Sequence, residues 1–320
     1  MQTEKSRSLL FDVARAFSAL YIVGFHHVLD YSPWLRSHVD FVWNEAAKAG
    51  CLAFFFFCSS YLASSRFEIH SWADALHFYR RRFLRIFPLY LLALINFSRP
   101  LSLTLLSAIG LNNFLPGIEG RNIPTLWFVS QMLVLYAIYP VLRRLKRYPI
   151  ILVATCTAIE LALWFGAKRY GWDHRLWWYF PMYAGGILLS DWTETRLLTA
   201  SSFLASMFLA LCIMRNILYW PIVLAVSGCG FVLALSGILS LIPRVAFVAR
   251  PLAYASMNAY LFHKKEYHRL LLAFDAIFGH DARNGGAFLL WMYLVCVPAA
   301  FVLGWYIQRI YDRWVSAKFR

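Results

Sequence analysis

The sequence predicts an all-α fold, a polytopic bundle of about ten transmembrane helices with both termini in the cytoplasm. Composition is the first reason. Of the 320 residues, 61% are hydrophobic and 15% charged, with mean hydropathy +0.56. An ordinary soluble domain is about 45–50% apolar and about 25% charged. The second reason is the recurrence of apolar runs near the roughly 20 residues that cross a bilayer. The third is the distribution of a net charge of +15, from 31 Lys and Arg against 16 Asp and Glu, about those runs. A soluble globular enzyme, a disordered chain and a disulfide scaffold are excluded together. Nucleic-acid binding is disfavoured, because no soluble basic domain or tail carries the charge.

The candidate spans run over 9–29, 44–63, 83–97, 124–142, 149–166, 176–190, 201–219, 220–242, 252–274 and 286–308. An eleventh apolar segment, 101–116, is short, ends in Asn112, Asn113 and Pro116, and reads as re-entrant or interfacial. Ten crossings put both termini on one side. Cations mark that side as cytoplasmic: Lys5, Arg7, Arg66, Arg80, Arg81, Arg82, Arg85, Arg143, Arg144, Lys146, Arg147, Arg196, Arg244, Arg250, Arg309, Arg313, Lys318 and Arg320 fall there, against a sparser Arg36, Lys48, Arg121, Lys168, Arg169, Arg175 and Arg283 opposite. Trp172, Trp177, Trp178 and Tyr179 fit an aromatic belt. No internal repeat, low-complexity segment or long linker divides the chain, so residues 1–320 read as one membrane domain. The six cysteines are widely spaced in apolar runs and predict neither disulfides nor a metal site. Asp12 and Arg15 interrupt the first apolar stretch, and no small-residue cleavage site follows, so a removable signal peptide is not expected.

Ionisable residues inside a span are costly and usually face the bundle interior or a water-filled cavity. The first span holds Asp12, Arg15, His26, His27 and Asp30. At about 100° per residue, the eleven steps from Arg15 to His26 leave a net rotation of about 20°, and Asp12 lies about 60° to the other side. These three share one stripe, with about 16 Å of rise between Arg15 and His26. Asp12 and Arg15 can pair at i and i+3. Asp30, four residues beyond His26, is placed to orient its imidazole. His27 points elsewhere, about 120° from Arg15. A second cluster, Arg80-Arg81-Arg82-Phe83-Leu84-Arg85, enters the third span from the cytoplasm. Arg82 and Arg85 share a face, and their forks suit a ligand with several phosphates, although a purely topological role explains the same charges. Glu160 lies in the apolar run Thr157-Ala158-Ile159-Glu160-Leu161-Ala162 and is expected to face the bundle interior.

These segments occur in a familiar order. Phe11-Asp12-Val13-Ala14-Arg15 with His26 is similar to the opening D-x-x-R and following His of the acyltransferase-3 family, integral membrane acyltransferases of surface glycans. Phe54 to Leu62 resembles F-F-x-x-S-G-Y-L, with Ser60 in place of Gly. Arg82-Phe83-Leu84-Arg85-Ile86-Phe87-Pro88 resembles R-x-x-R-I-x-P. Leu126-Trp127-Phe128-Val129-Ser130-Gln131 resembles a motif in which many members carry Glu at the position of Gln131. Ser256 to His263 resembles a late S-x-x-x-Y-L-x-H. Each is weak alone, but five in order are specific.

The resemblance implies ten spans and transfer of an acyl group, often acetyl, from cytosolic acyl-CoA. The implied acceptor is a hydroxyl of a carbohydrate or lipid-linked glycan at the bacterial inner membrane. It also implies a stand-alone membrane domain without the SGNH domain of some members. Arg15 and His26 match the family's essential Arg and His. Arg82 and Arg85 match its paired arginines, expected to hold the phosphates of acetyl-CoA, with Trp127 and Gln131 on the donor side. His26 is the expected base, acting directly or through an acyl-histidine intermediate. Arg15 would stabilise the developing oxyanion or the donor's pyrophosphate, and Asp12 would fix Arg15. His263 and Glu266 are candidates for an outer acceptor vestibule, and no metal is expected. The expected partners are acyl-CoA, the glycan acceptor and membrane lipid. A transporter or flippase for a glycan or other anionic substrate is the alternative. It would favour internal repeats.

Overall fold

The computed structural model describes residues 8–97, 100–116, 125–215, 220–279, 282–283 and 285–319, the side chains of 316–319 excepted. The side chains of Lys5, Arg7, Arg121, Lys318 and Arg320, and the extremities of the spans proposed at 124–142 and 201–219, lie outside the described residues. The structure is 86% helical, with no strand among the described residues.

The helices are α1 (Leu9–Ala19), α2 (Pro33–His38), α3 (Phe41–Ser64), α4 (Trp72–Asn96), α5 (Leu101–Ala108), α6 (Trp127–Leu145) and α7 (Pro149–Tyr170). They continue with α8 (His174–Leu188), α9 (Glu194–Ile213), α10 (Pro221–Leu239), α11 (Val245–Phe278), α12 (Gly286–Trp291) and α13 (Val297–Phe319). A π-helix, Leu20–His26, continues α1, and a second, Met292–Cys296, joins α12 to α13. Among the described residues, six helical stretches are long and apolar enough to cross a bilayer: Leu9–Asp30, Phe41–Ser64, Pro149–Tyr170, Glu194–Ile213, Pro221–Leu239 and Gly286–Val315. The other four expected spans overlap α4, α6, α8 and α11; charged or polar side chains interrupt the apolar runs of α4, α6 and α11, and α8 has only 15 residues. The 101–116 segment forms only the eight-residue α5 and a short 3-10 turn, Leu111–Phe114, too short to cross. Along α7 and α9 only 17% and 22% of the apolar window is buried, as suits helices facing lipid.

The chain separates into two compact units, residues 1–54 with 194–320, and residues 55–193. In the first, α1 begins at Ser8, whose hydroxyl accepts from the Phe11 amide at 3.4 Å and caps the helix. Val13 and Ala16 of α1 pack on Ala249 and Ala253 of α11. Ala46 and Ala49 of α3 pack on Phe208, Cys212 and Leu224 of α9 and α10. At Gly50 the α3 backbone meets α10 so closely that a Cβ there would lie 2.8 Å from the Gly228 carbonyl carbon. Such small-residue crossings let helices approach in a membrane, where hydrophobic burial alone does not bring them together.

The second unit is built on aromatic packing. Phe56 stacks on Tyr179 at 5.1 Å and meets Phe128 edge-on at 4.7 Å, while Phe78 stacks on Tyr139 at 4.2 Å. Ser59 and Tyr136 share a hydrogen bond of 2.5 Å between α3 and α6. Ser60, standing where the resembled motif has Gly, is fully buried and donates to the carbonyls of Phe56 and Phe57 at 3.3 and 3.1 Å. Gly186 of α8 makes room for it: a Cβ there would lie 2.1 Å from Ser60 Oγ. The start of α4 is fixed by a capping box in which the Asp74 amide donates to Ser71 Oγ at 3.2 Å and the Ser71 amide to Asp74 Oδ2 at 2.8 Å. That cap sets the register of the arginines that follow.

Candidate active site

Within the first unit, α1 and its π-helical extension carry three of the expected site residues. Asp12 is wholly buried and pairs with Arg15, whose side chain keeps 19% of its surface exposed. Arg15 Nε also donates to the Phe11 carbonyl at 3.4 Å. This is the i, i+3 pair expected from the sequence. From Leu20 the helix widens, and the His27 amide donates to the Ile22 carbonyl, five residues back, at 3.0 Å. A π turn holds more residues than an α turn, so the rotation per residue falls and the constant 100° step does not carry from Arg15 to His26. Single π turns inside α-helices are frequent at functional sites.

The widened turn presents both histidines to the unit's interior. His26 Nδ1 faces Asn44 Oδ1 of α3 at 3.3 Å, and the Tyr21 hydroxyl donates to that same oxygen at 3.0 Å. Tyr21 also reaches the Asn44 main-chain carbonyl at 3.3 Å. Asp30, expected to orient His26, instead accepts from Lys264 at 2.9 Å. The 3-10 turn Val28–Asp30 carries it away from the helical phase of His26. His27, expected to point elsewhere, has its Nδ1 2.7 Å from His263 Nε2, with the two rings stacked 4.6 Å apart. The rings of His26 and His27 lie 5.3 Å apart.

His263, expected at an outer vestibule, is 1% exposed. Its Nδ1 donates to the carbonyls of Ala259 and Tyr260 at 3.1 and 2.9 Å, and Tyr267 meets its ring edge-on at 5.4 Å. Tyr267 is held in turn, donating to the Val23 carbonyl at 3.0 Å. Glu266 pairs with Arg269 at 3.6 Å, one turn along α11.

The second unit holds the other expected residues. The Arg82 guanidinium lies among the rings of Tyr136, Phe78 and Phe67, at 5.3, 5.7 and 5.9 Å, and its Nε has no hydrogen-bond partner. Ring faces of this kind hold an arginine without consuming its donors. Arg85, one turn on, is exposed. Trp127 carries the Arg175 guanidinium 4.1 Å above its ring and stacks on Tyr179 at 6.3 Å. Arg175 is fixed by a bidentate pair with Asp173, at 2.8 and 2.6 Å. A ligand meeting Trp127 therefore shares it with a fixed cation. Gln131, one turn beyond, is fully buried with neither amide atom hydrogen-bonded, and the buried Tyr183 hydroxyl is likewise without a partner. Unmatched buried polar groups are rare and costly, and a ligand or a water molecule satisfies them. Glu160 is partly buried, and its carboxylate has no hydrogen-bond partner. No group of three or more metal-ligating side chains occurs among the described residues.

Asn44 and the His27–His263 contact escaped sequence reasoning. Asn44 follows Asp40 at the start of the next span, and no periodicity links it to His26. The adjacent pair His26-His27 was the available signal, since a π turn lets neighbouring side chains serve one region.

An all-helical chain with, among its described residues, six stretches apolar and long enough to cross a bilayer belongs by its fold to the membrane proteins. The chain belongs to the acyltransferase-3 family: the family model described as an acyltransferase domain matches residues 9–316, essentially its whole length. No curated protein and no solved structure matches it.

Proposed function

We propose that this membrane acyltransferase moves an acyl group, acetyl in the first instance, from cytosolic acyl-CoA to a hydroxyl of a surface carbohydrate or lipid-linked glycan at the bacterial inner membrane. The observation that carries this reading is the imidazole of His26. An amide oxygen accepts and cannot donate, so His26 Nδ1, facing Asn44 Oδ1 at 3.3 Å, holds its proton there and leaves Nε2 as a base. A sugar hydroxyl needs such a base to attack at neutral pH. In the proposed step, Nε2 takes the hydroxyl proton and the oxygen bonds to the thioester carbonyl carbon. The carbon–sulfur bond then breaks, and the thiolate takes the proton to leave as free CoA.

Arg15, braced by Asp12 and about 16 Å of helix rise from His26, supplies positive charge toward the pyrophosphate of the donor. Arg82, held among three aromatic rings, and Arg85 hold the phosphates of the donor. The unmatched amide of Gln131 suits the amide groups of the donor's pantetheine arm. Trp127 gives that arm an apolar edge beside Arg175. Mass spectrometry of cell-surface glycans with and without the protein tests the reading. An acyl mass increment that depends on the protein is expected; identical glycans would refute it.

A further inference from the structure

The second imidazole of the first unit is oriented as fully as the first. His263 Nδ1 lies 3.1 and 2.9 Å from the carbonyl oxygens of Ala259 and Tyr260. Carbonyl oxygens only accept, so that nitrogen carries a proton. Its Nε2 then faces His27 Nδ1 at 2.7 Å, and one proton lies between them. A proton on both nitrogens of His263 would bury a cation at a position 1% exposed, beside the rings of His27 and Tyr267. Burying a charge there costs far more than a neutral hydrogen bond. The proton therefore belongs to His27 Nδ1, which donates to His263, and His27 Nε2 keeps its lone pair. Asn44 imposes the same tautomer on His26. Both residues are half-buried, and their ring centroids are 5.3 Å apart. One attacking hydroxyl requires one base, and two have been prepared.

We infer that His27 is a second substrate-facing base of the site and that His263 is its positioning residue. His26 takes the proton of the hydroxyl that is acylated. His27 Nε2 accepts the hydrogen bond of a neighbouring hydroxyl, so the pair favours an acceptor with O–H groups side by side, as a carbohydrate ring has. The role of the acceptor rests on the acyl-transfer reading, whereas the tautomers do not.

The test has two arms. In the first, nitrogen-15 NMR of histidine-labelled protein in lipid bilayers, assigned by loss of signals in His27→Gln, reads which ring nitrogen is protonated. A protonated His27 Nδ1 with a bare Nε2 is expected; a proton on Nε2 overturns the inference whatever the reaction is. In the second, CoA release from acetyl-CoA is followed in native membranes. His27→Ala and His263→Leu should slow it about ten-fold, the loss of one hydrogen bond, with KM for acetyl-CoA unchanged. His263→Gln, whose amide oxygen still accepts from His27, should recover most of the rate and shows that a merely misfolded variant is not the cause. An unchanged rate in His27→Ala, or a raised KM for acetyl-CoA at unchanged kcat, overturns the role of His27. Absence of CoA release from the wild-type protein overturns the acyl-transfer reading and leaves the NMR result to decide the tautomers.

Discussion

Replacing Asn44 by Leu removes the atom that orients His26 while keeping nearly the same volume. Asn44 is 8% exposed, and its Oδ1 receives hydrogen bonds from Tyr21 at 3.0 Å and from His26 at 3.3 Å. Tyr21 keeps a second acceptor, the main-chain carbonyl at 3.3 Å, which the substitution leaves in place. The structural loss is thus nearer one hydrogen bond than two, about 1–2 kcal/mol. At roughly 2–4 °C per kcal/mol, the melting temperature should fall by only a few degrees and the protein stay folded. Catalysis should suffer more. Without Oδ1 the imidazole is free to move its proton to Nε2, the atom needed as base. Loss of an orienting partner of this kind costs about 10–100-fold. The assay is CoA release under saturating acetyl-CoA, beside a thermal melt of the same preparation. Asn44→Asp, which keeps an acceptor oxygen, should retain more activity than Asn44→Leu. A folded Asn44→Leu protein with wild-type kcat would refute the assignment of Asn44 and weaken that of His26.

Other consequences concern the donor, the packing and the pH range. Arg82→Ala combined with Arg85→Ala should weaken acetyl-CoA binding at least about ten-fold by calorimetry, since charge-assisted hydrogen bonds are worth about 1.5–3 kcal/mol each; equal affinity would make these arginines purely topological. Gly186→Ala should cost about 1–3 kcal/mol of thermal stability through overpacking against Ser60, and Ser60→Gly in the same chain should recover most of it. At the start of α4, the backbone amide of Ser71, then its hydroxyl and the His70 amide, hold the Asp74 carboxyl below the ordinary carboxylate range. A depressed folded-state value stabilises above the unfolded pKa and is lost as pH falls through the folded one. The stability difference between wild type and Asp74→Asn should therefore shrink as pH is lowered from about 6 to about 3.

Composition and run length carried the helical membrane architecture, because both follow from how much apolar surface a chain must hide. Among the described residues, each expected span overlaps a helix or its extension. The Asp12–Arg15 pair was equally legible, since i and i+3 positions meet in any regular α-helix. Beyond Leu20 that regularity ends. The π turn alters the phase on which the Arg15–His26 stripe was calculated, and it brings His27 against a histidine 236 residues away in sequence. No local pattern encodes such a partner. Asp30 was a plausible partner for His26 at i+4, but Lys264 of α11 holds it instead, a choice made by tertiary packing. Motif order supplied Arg82 and Arg85; of the rings around Arg82, Phe78 lies one turn back on α4, whereas Phe67 and Tyr136 come from other segments and emerge only in the fold.

The central claim is that His26 is the base of an acyl-CoA-dependent transfer. Its most direct test is the release of free CoA by purified wild-type and His26→Ala proteins, supplied with acetyl-CoA and a glycan fraction from the host envelope. Wild-type protein should release CoA in an acceptor-dependent manner, with the variant slower by about 10²–10⁴-fold although folded. Equal rates in the two proteins would contradict the claim.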